Sequence, residues 1–535
     1  MESIDHESVI AAQSLKNAPI SLTTTEVNLT GSWKIFKPYI SPGIAQCITY
    51  CPLNIDIPRY NYFLKKGDKK KALTVLREYN PIPAILGRVC PGFCRSGCNR
   101  LDIDEALNVS IIEKYLGDYG IGVPYKGSNK LYKHSIAIIG SGPAGIGAAY
   151  FLKRNGLNVT IYEKENKPGG LLRYGIPPYR LPRDILDKEL DNLFNSLNIE
   201  IVCNQYIDNS DIDNLLKEHD FIFYSPGLNE SVTLKHLEDI PNVIDGLTIL
   251  KDLNCGIIPK GKVYAIIGGG NVAVDIARSL VRLNKKVVVL YRRTYKEMPA
   301  YEDEKKQMLE EGVELREKTL VGDAIYNDDK LDLDIRKAVN IDGKIVEGKL
   351  VDKLSVDYLI LAVGQKKSQE LDRETNIFLG GDYLLGPTSV AESIASSRKA
   401  SESIIKQLIH KEDQDNIQTN FNKKIIDSKN INKDFIKRSY SVKASIKRTE
   451  ERIKSFSPVI QDLGKDKIEK EVKRCINCGI CNECSLCWFF CPDNAISIAK
   501  NKDADYSVVI SLEYCKGCGI CAKVCPRGII EMTNI

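Results

Sequence analysis

Several residue types and motifs that mark common enzyme classes are scarce or missing in this 535-residue sequence. Its five histidines include no close pair of the kind that binds a catalytic zinc ion. It has no Gly-x-Ser-x-Gly nucleophile motif and no phosphate loop ending in Gly-Lys-Ser or Gly-Lys-Thr. Zinc-dependent hydrolysis, serine hydrolysis and P-loop nucleotide hydrolysis therefore have no support in the sequence.

Long apolar runs are also missing. Runs such as Phe221–Tyr224 and Val287–Leu290 are far shorter than the roughly 18 residues of a membrane helix. Residues 1–13 carry Glu2, Asp5 and Glu7 and lack the basic and apolar regions of a secretion signal. We therefore expect no membrane span and a cytoplasmic location.

The composition is that of a folded protein with several domains. Apolar residues make up 43%, and 75 basic residues face 70 acidic ones. At about 150 residues per domain, this length suggests three or four domains. Residues 423–454 hold eleven Lys and Arg against four Asp and Glu. This basic segment is interpreted as a solvated linker helix, although docking of an acidic ferredoxin or of nucleic acid is also conceivable.

An internal repeat predicts two nucleotide-binding domains. In each copy a β-branched run leads into a glycine turn, a helix-like stretch and a second apolar run, as in parallel α/β sheets. The copies begin with the strands Ser135–Ile139 and Val263–Ile267, and their turns are Gly140–Gly145 and Gly268–Ala273.

The two copies differ at the residue that selects the nucleotide. Glu163 ends the second strand of the first copy, where a carboxylate accepts hydrogen bonds from ribose hydroxyls. At the same place the second copy has Tyr291, Arg292 and Arg293, and guanidinium groups pair with a 2′-phosphate. The pattern predicts a flavin in the first site and NADP(H) in the second. The alternatives are a glycine turn without a ligand and arginines that merely end a strand in water.

Residues 135–405 resemble the small, NADPH-oxidising subunit of glutamate synthase, in whose fold the NADP domain is inserted into the FAD domain. The matching motifs, besides the turns, are Pro168–Pro177, Arg180–Pro182, Tyr291–Arg293, Glu297–Ala300, Ala362–Gln365, Gly380–Asp382 and Gly386–Thr388. The turn, Glu163 and this resemblance together give as FAD-binding residues Gly140, Gly142, Pro143, Ala144, Gly145, Glu163, Lys164, Gly170, Leu171, Leu172, Ile176, Arg180, Asp382 and Thr388. The corresponding NADP-binding residues are Gly268, Gly269, Gly270, Asn271, Val272, Arg292, Arg293, Gly364 and Gln365. No catalytic side chain is expected, because the flavin carries the chemistry.

Fifteen of the seventeen cysteines fall in two groups. Near the C-terminus, two copies of Cys-x2-Cys-x2-Cys-x3-Cys-Pro match the bacterial ferredoxin run, in which the fourth cysteine ligates the other cluster. One 4Fe-4S cluster is therefore expected on Cys481, Cys484, Cys487 and Cys525, and the other on Cys491, Cys515, Cys518 and Cys521. Structural zinc is the alternative. Cys475 and Cys478 continue the spacing of the first run, but the ferredoxin pattern assigns them to neither cluster. They are either alternative ligands or spare thiols.

The N-terminal cysteines give a weaker signal, because their spacing also suits buried structural thiols. They are Cys47, Cys51, Cys90, Cys94 and Cys98. The glutamate synthase small subunit begins with a helical domain that carries two 4Fe-4S clusters, and Gly87–Pro91 and Cys51-Pro52 resemble parts of it. The upstream Cys-x2-Cys of that domain is missing here, so the resemblance implies one surviving cluster. Its expected ligands are Cys51, Cys90 and Cys94, with Cys47, Cys98 or Glu113 as the fourth.

The expected fold is α/β, with two Rossmann-like domains of disulfide-reductase type between a helical iron–sulfur domain and a bacterial ferredoxin domain. The predicted ranges are 1–130 for the helical domain, 131–250 and 361–410 for the FAD domain, 251–360 for the NADP domain, 411–470 for a basic linker with helices, and 471–535 for the ferredoxin domain.

These features predict an electron-transfer subunit in which FAD mediates between NADP(H) and 4Fe-4S clusters. The C-terminal domain resembles the delta subunit of 2-oxoacid:ferredoxin oxidoreductases, which implies a ferredoxin or a catalytic redox subunit as partner within a hetero-oligomer. A self-standing ferredoxin:NADP oxidoreductase and a non-enzymatic scaffold are the alternatives. Nucleic acid is not expected as a partner. The cysteine content suits an anaerobe, because exposed clusters are sensitive to oxygen.

Overall fold

The computed structural model describes residues 29–228, 230–368, 370–371, 375–408, 423–498 and 508–535. Its contacts divide the chain into two compact units, each assembled from segments that are distant in sequence. The larger unit comprises the described residues within 46–421 and 438–475, and the smaller unit comprises those within 1–45, 422–437 and 476–535. The predicted domain boundary at residues 410–411 lies outside the described residues.

The first glycine turn belongs to a five-stranded parallel sheet in the larger unit. Its strands are, in spatial order, Ile377–Leu379, Phe221–Tyr224, Ser135–Ile139, Asn158–Tyr162 and Glu200–Val202. The central strands are buried on both faces. Helices Pro143–Arg154 and Val390–Leu408 pack together on one face, and Ile212 and Leu215 of helix Asn209–Glu218 lie on the other. The edge strand Ile377–Leu379 comes from a segment more than 150 residues after its neighbour in the sheet.

The residues between those two strands contain a second five-stranded parallel sheet. Its strands are, in spatial order, Glu314–Glu317, Lys286–Tyr291, Val263–Ile267, Tyr358–Leu361 and Val243–Asp245. Helices Gly246–Asn254 and Asn271–Arg282 pack together on it. A three-stranded antiparallel sheet, formed by Thr319–Asn327, Lys330–Ile341 and Lys344–Val356, lies in sequence between strands Glu314–Glu317 and Tyr358–Leu361. The expected insertion of one nucleotide domain into the other is therefore confirmed.

A helical part of the larger unit precedes the sheets. Its helices are Gln46–Tyr50, Ile57–Lys65, Lys69–Arg77, Pro83–Val89 and Val109–Gly120. Asp56 and Asp68 cap two of them, since each carboxylate accepts a hydrogen bond from a backbone N–H of the first turn. The later helix Lys465–Arg474 packs on helices Ile57–Lys65 and Val109–Gly120 and buries Ile468 and Val472. This helix lies beyond the basic segment 423–454, and its apolar face completes the core of the helical part.

The smaller unit is built from short strands and helices around cysteine side chains. Its strand pairs are Phe36–Ile40 with Ile530–Asn534, Ile44–Ala45 with Ile425–Ile426, and Ile496–Ile498 with Val508–Ile510. Its helices are Leu486–Phe489 and Ile520–Val524. The small core includes Cys487, Cys521 and Cys525 beside isoleucines, which fits a domain that has too few apolar residues for an ordinary core.

The remaining elements connect these parts. The helices are Leu171–Tyr174, Arg183–Leu197, Asn209–Glu218, Glu302–Glu310, Asp382–Leu385 and Thr449–Arg452. The strands are Glu230–Ser231, Gln365–Lys366, Ser445–Ile446 and Ile460–Gln461. The 3-10 turns are Thr30–Trp33, Phe93–Arg95, Asn99–Asp102, Lys235–Leu237, Tyr295–Glu297 and Lys433–Phe435. Among the described residues, no helix has the length and apolar character needed to cross a bilayer.

Candidate redox sites

The first glycine turn has a conformation that requires glycine. A Cβ on Gly145 would lie 1.9 Å from the carbonyl oxygen of Gly140, so helix Pro143–Arg154 begins closer to the strand than any other residue would allow. A Cβ on Gly142 would meet nothing within 4 Å. The space beside Gly142 is therefore open at the helix N-terminus, where backbone N–H groups and the helix dipole favour a phosphate.

Two more predicted segments converge on this turn. A Cβ on Gly170 would lie 2.8 Å from the Cα of Gly142, and a Cβ on Gly381 would lie 2.9 Å from the Cβ of Ala144. Leu171 and Leu172 begin the short helix that follows Gly170. Residues from three separate stretches of sequence thus surround one open space, as the fit of a dinucleotide requires.

Glu163 is held against the same turn. Its side chain is almost fully buried, and one carboxylate oxygen accepts a hydrogen bond from the backbone N–H of Ser141 at 2.9 Å and another from the Ser141 hydroxyl. The other oxygen accepts a hydrogen bond from the N–H of Glu165 at 2.9 Å. Lys164, between these two acids, is exposed. Sequence reasoning missed Ser141, although its place between two glycines of the turn was a usable signal.

Asp382 begins the short helix beside the turn, and its carboxyl group is unusual. Burial raises the pKa of Asp382 to about 6, although hydrogen bonds from the Ser393 hydroxyl and the Thr388 backbone N–H lower it. The Thr388 hydroxyl itself donates to a carboxylate oxygen of Glu392 at 2.6 Å. Asp382 is therefore a partly buried carboxyl group beside the open space of the first turn.

The second glycine turn leads into helix Asn271–Arg282. A Cβ on Gly270 would meet nothing within 4 Å, so this helix N-terminus is also open. The segment that follows Arg292 and Arg293 closes one side of this turn. The N–H of Tyr301 donates a hydrogen bond to the Asn271 side chain at 3.0 Å, and the N–H of Ala300 donates one to the carbonyl of Gly269. The other predicted residues flank this turn or follow the neighbouring strand Tyr358–Leu361, and they are Gly268, Val272, Gly364 and Gln365.

Arg292 and Arg293 follow strand Lys286–Tyr291, which lies next to the strand that leads into the second turn. Both side chains are exposed, and neither forms an ion pair with a carboxylate in the described parts of the chain. Carboxyl ends of neighbouring parallel strands lie at the same edge of a sheet. Two unpaired guanidinium groups therefore stand at the edge where the second turn is open.

Arg180 lies where the two nucleotide domains meet. Its guanidinium pairs with Asp275 at 2.7 Å and with Glu304 at 3.3 Å, and both acids belong to the second domain. The segment after Ile176 is fixed too, since the carbonyl of Ile176 accepts a hydrogen bond from Arg183. The contact found for Arg180 is thus a bridge between domains, and its contact with flavin stays a prediction.

A buried cluster of charges fixes one flank of the second domain. Arg278 is fully buried and pairs with Glu311 at 2.8 Å, and Arg282 pairs with the same carboxylate at 2.7 Å. Burial alone would raise the pKa of Glu311, but hydrogen bonds and charges of the two arginines hold it below its usual value. This network positions helix Asn271–Arg282, whose N-terminus forms the second turn.

The smaller unit contains two cavities lined by cysteines. One is lined by Cys481, Cys484, Cys487 and Cys525, and the other by Cys491, Cys515, Cys518 and Cys521. Each cavity thus brings together the same four thiols that the ferredoxin spacing groups. Burial raises the pKa of Cys487 to about 12 and that of Cys521 to about 11. Such thiols would stay protonated without metal, so the donor set suits a site in which bound iron stabilises the thiolates.

Three N-terminal cysteines surround a buried glutamate. Burial raises the pKa of Glu113 to about 8, and Glu113 accepts a hydrogen bond from the Tyr60 hydroxyl at 3.4 Å. Burial is the main cause that raises the pKa values of Cys51, Cys90 and Cys94, and the charge of Glu113 raises each of them further. The predicted ligands Cys51, Cys90, Cys94 and Glu113 therefore lie near one another.

The other cysteines divide into those near this group and those away from it. Cys47 and Cys98 are partly buried in the same core, and Cys98 Sγ accepts a hydrogen bond from the N–H of Leu107 at 3.4 Å. Cys203 and Cys255 stand apart from both cysteine groups in the sequence, which predicts two ordinary buried thiols. Cys203 is partly buried, but Cys255 is exposed, so this prediction is wrong for Cys255. Its place just after helix Gly246–Asn254 leaves it at the surface.

In the described part of the chain, no three Cys, His, Asp or Glu side chains converge closely enough to bind a single metal ion. An iron–sulfur cluster binds its thiolates on separate iron atoms, so its ligands are spread over a larger volume. The cysteine groups described above fit an iron–sulfur cluster.

Comparison with protein families identifies three matching regions. Residues 134–385 match the pyridine nucleotide-disulphide oxidoreductases, residues 41–122 match the 4Fe-4S domain II of dihydropyrimidine dehydrogenase, and residues 474–529 match the 4Fe-4S dicluster domain. These regions contain, respectively, the two glycine turns, the N-terminal cysteines and the C-terminal cysteines.

Three similar proteins come from Escherichia coli. A protein designated YgfK from strain O157:H7 is 29% identical over 90% of this chain and 48% of its own length. The NAD-dependent dihydropyrimidine dehydrogenase subunit PreT from strain K12 is 30% identical over 67% of this chain and 90% of its own length. The glutamate synthase [NADPH] small chain from strain K12 is 27% identical over 69% of this chain and 90% of its own length.

The chain belongs to the FAD and iron–sulfur oxidoreductase family of the glutamate synthase small chain. The expected cofactors are confirmed at the level that this family shares, namely FAD, a pyridine nucleotide and 4Fe-4S clusters near both ends of the chain. The expected α/β fold with two iron–sulfur domains is confirmed as well. The chain spans about half the length of YgfK, with 48% of that protein covered.

Proposed function

We propose that this chain is an electron-transfer subunit that moves electrons between NADP(H) and a redox partner through bound FAD and its own 4Fe-4S clusters. One observation carries the proposal most of all, namely that two four-cysteine cavities occur in the same chain as two open dinucleotide turns. When bound, FAD accepts electrons in pairs as a hydride and releases them singly, which links a nucleotide to iron–sulfur centres.

The residues of the first turn bind and orient the flavin nucleotide in this proposal. The open helix N-terminus at Gly142 takes the pyrophosphate, and Glu163 takes ribose hydroxyls. Asp382 provides a partly buried carboxyl oxygen for a hydrogen bond with the ribityl chain. Apolar side chains of Leu171, Leu172 and Ile176 exclude water from the neighbourhood of the ring system.

The second turn binds NADP(H) in preference to NAD(H). The relatives do not decide between the two, since the name of one contains NAD and that of another contains NADPH. The unpaired cations Arg292 and Arg293 support NADP(H), because each guanidinium can form charge-assisted hydrogen bonds with a 2′-phosphate.

The partner in this proposal is a ferredoxin or a catalytic redox subunit. Two similar proteins are named as a subunit or a small chain of a larger enzyme, which supports a hetero-oligomer. The C-terminal dicluster region provides iron–sulfur centres of the kind that exchange single electrons with such partners.

Purification without oxygen, followed by flavin, iron and sulfide analysis, tests the proposal. We expect one FAD per chain, iron and acid-labile sulfide in equal amounts, and reduction by NADPH. Co-purification of a second redox subunit would support the subunit function, whereas full turnover with ferredoxin alone would identify a self-standing ferredoxin:NADP oxidoreductase. A folded protein without flavin would contradict both and leave a scaffold function.

A further inference from the structure

Cys475 belongs by sequence to the C-terminal cysteine run, but its contacts are with the N-terminal helical part of the larger unit. It directly follows helix Lys465–Arg474, which packs on helices Ile57–Lys65 and Val109–Gly120. It is partly buried against the same core as Cys47 and Cys98. It is also absent from the lining of both cysteine cavities of the smaller unit.

Hydrogen bonds fix the backbone of Cys475 beside the segment that follows Cys98. Arg100 donates to the carbonyl of Arg474 at 2.7 Å, and the Arg474 guanidinium donates to the carbonyl of Glu105 at 2.6 Å. The ammonium group of Lys65 donates to the carbonyl of Cys475 itself. Hydrogen bonds to Arg474 and to Cys475 therefore fix the backbone at this point.

The turn that carries Cys98 also packs directly on the helix that carries Cys47. A Cβ on Gly97 would lie 2.6 Å from the ring of Tyr50 and 2.9 Å from the carbonyl oxygen of Gln46. These two residues flank Cys47 in helix Gln46–Tyr50. Contacts thus link the surroundings of Cys98 to Cys475 on one side and to Cys47 on the other.

The electrostatic surroundings agree with two neighbouring groups of thiols. Burial raises the pKa of the Cys98 thiol most, and the charge of Cys475 raises it further. The fully buried Tyr60 hydroxyl has its pKa raised by burial and then by Glu113, Cys94, Cys475 and Cys47. Tyr60 therefore has Glu113, Cys94, Cys475 and Cys47 among its neighbours.

We propose that Cys47, Cys98 and Cys475 are thiolate ligands of a second 4Fe-4S cluster in the helical part, beside the cluster on Cys51, Cys90 and Cys94. This deepens the proposed function and rests on its assignment of iron–sulfur chemistry to the N-terminal cysteines. Three thiolates bind three of the four irons, and the fourth iron takes a further ligand. The upstream Cys-x2-Cys of the related domain is missing in this chain. Cys475, which lies near the other end of the sequence, then supplies a thiolate in its place.

Iron analysis of the full chain, purified and reconstituted without oxygen, tests this assignment. We expect about 16 irons per chain for four 4Fe-4S clusters and about 12 for the Cys475→Ser variant. Because Cys51 belongs to the other cluster, the double variant Cys51→Ser/Cys475→Ser should retain about 8 irons. Spin quantification of the reduced clusters by electron paramagnetic resonance should show the same stepwise losses.

Three controls separate cluster loss from misfolding and from failure of the proposed function. Cys255→Ser alters an exposed thiol and should retain all the iron, and Cys518→Ser should lose one C-terminal cluster. FAD content and far-ultraviolet circular dichroism should remain unchanged in Cys475→Ser. About 12 irons in both the unaltered chain and Cys475→Ser would overturn this inference alone. Equal iron in the Cys51→Ser and double variants would also overturn it, whereas no iron in any preparation would overturn the proposed function.

Discussion

Replacement of Arg292 and Arg293 by alanine tests how the second site selects its nucleotide. The double variant removes two exposed guanidinium groups at the end of strand Lys286–Tyr291. Neither group forms a salt bridge within the described residues, although the charge of Arg293 is among the causes, after hydrogen bonds from Thr294, that lower the pKa of Glu297. The fold should be unaffected, because both side chains lie in water.

The size of the effect follows from the exposure of the two side chains. A hydrogen bond to a charged group contributes about 1.5–3 kcal/mol, and solvent screening favours the lower end for exposed groups. Two arginines at about 1.5 kcal/mol each give about 3 kcal/mol, which corresponds to a loss of roughly 100-fold in kcat/KM for NADPH. NADH lacks the 2′-phosphate, so its kcat/KM should change by less than about threefold.

Steady-state reduction of ferricyanide with each nucleotide measures both values. Arg316→Ala is the matched control, because its guanidinium lies in the same domain but already pairs with Glu314 and Asp352. It should leave the preference for NADPH unchanged. Equal losses with NADPH and NADH in the double variant, or no loss with either, would refute the assignment of these arginines to the 2′-phosphate.

Three further predictions concern the turns, the clusters and stability. Gly145→Ala should abolish FAD retention, because its Cβ would overlap the carbonyl oxygen of Gly140, and flavin absorbance after gel filtration measures this; full retention would contradict the close approach. Cys484→Ser/Cys525→Ser should lose about four irons but Cys484→Ser/Cys518→Ser about eight, since the second pair affects both C-terminal clusters; equal losses would argue against the grouping. Glu311→Ala should destabilise the second domain by about 3–5 kcal/mol in urea unfolding, because it leaves the buried Arg282 without an acidic partner and Arg278 with Glu304 alone. The lowered pKa of this carboxyl means that its stabilising effect is present above its unfolded pKa and is lost as the pH falls below it, so the difference between variant and unaltered chain should shrink in acid.

Much of the fold, including the two glycine turns, could be predicted because its signals are local. The strand, glycine turn and helix of each copy are contiguous, so Gly145 and Gly270 could be placed from the sequence alone. The C-terminal cysteine groups are equally local in spacing, and each cavity gathers the four thiols that the ferredoxin pattern joins.

Contacts between distant segments could not be predicted in this way. Cys475 follows the rhythm of the C-terminal run, yet helix Lys465–Arg474 carries it to the N-terminal helices, because burial of Ile468 and Val472 decides where that helix packs. The pairing of Arg180 with Asp275 likewise depends on how two domains meet. Sequence periodicity indicates that a face is apolar but does not identify the surface that it covers.

Anaerobic titration with NADPH, followed by visible and electron paramagnetic resonance spectra, tests the central claim most directly. The account predicts that NADPH bleaches the flavin absorbance and that paramagnetic signals of reduced 4Fe-4S clusters appear in the same sample. In the opposite result, NADPH bleaches the flavin without any partner protein present, but the clusters stay oxidised and only dithionite reduces them. That result would contradict electron transfer from the nucleotide to the clusters of this chain.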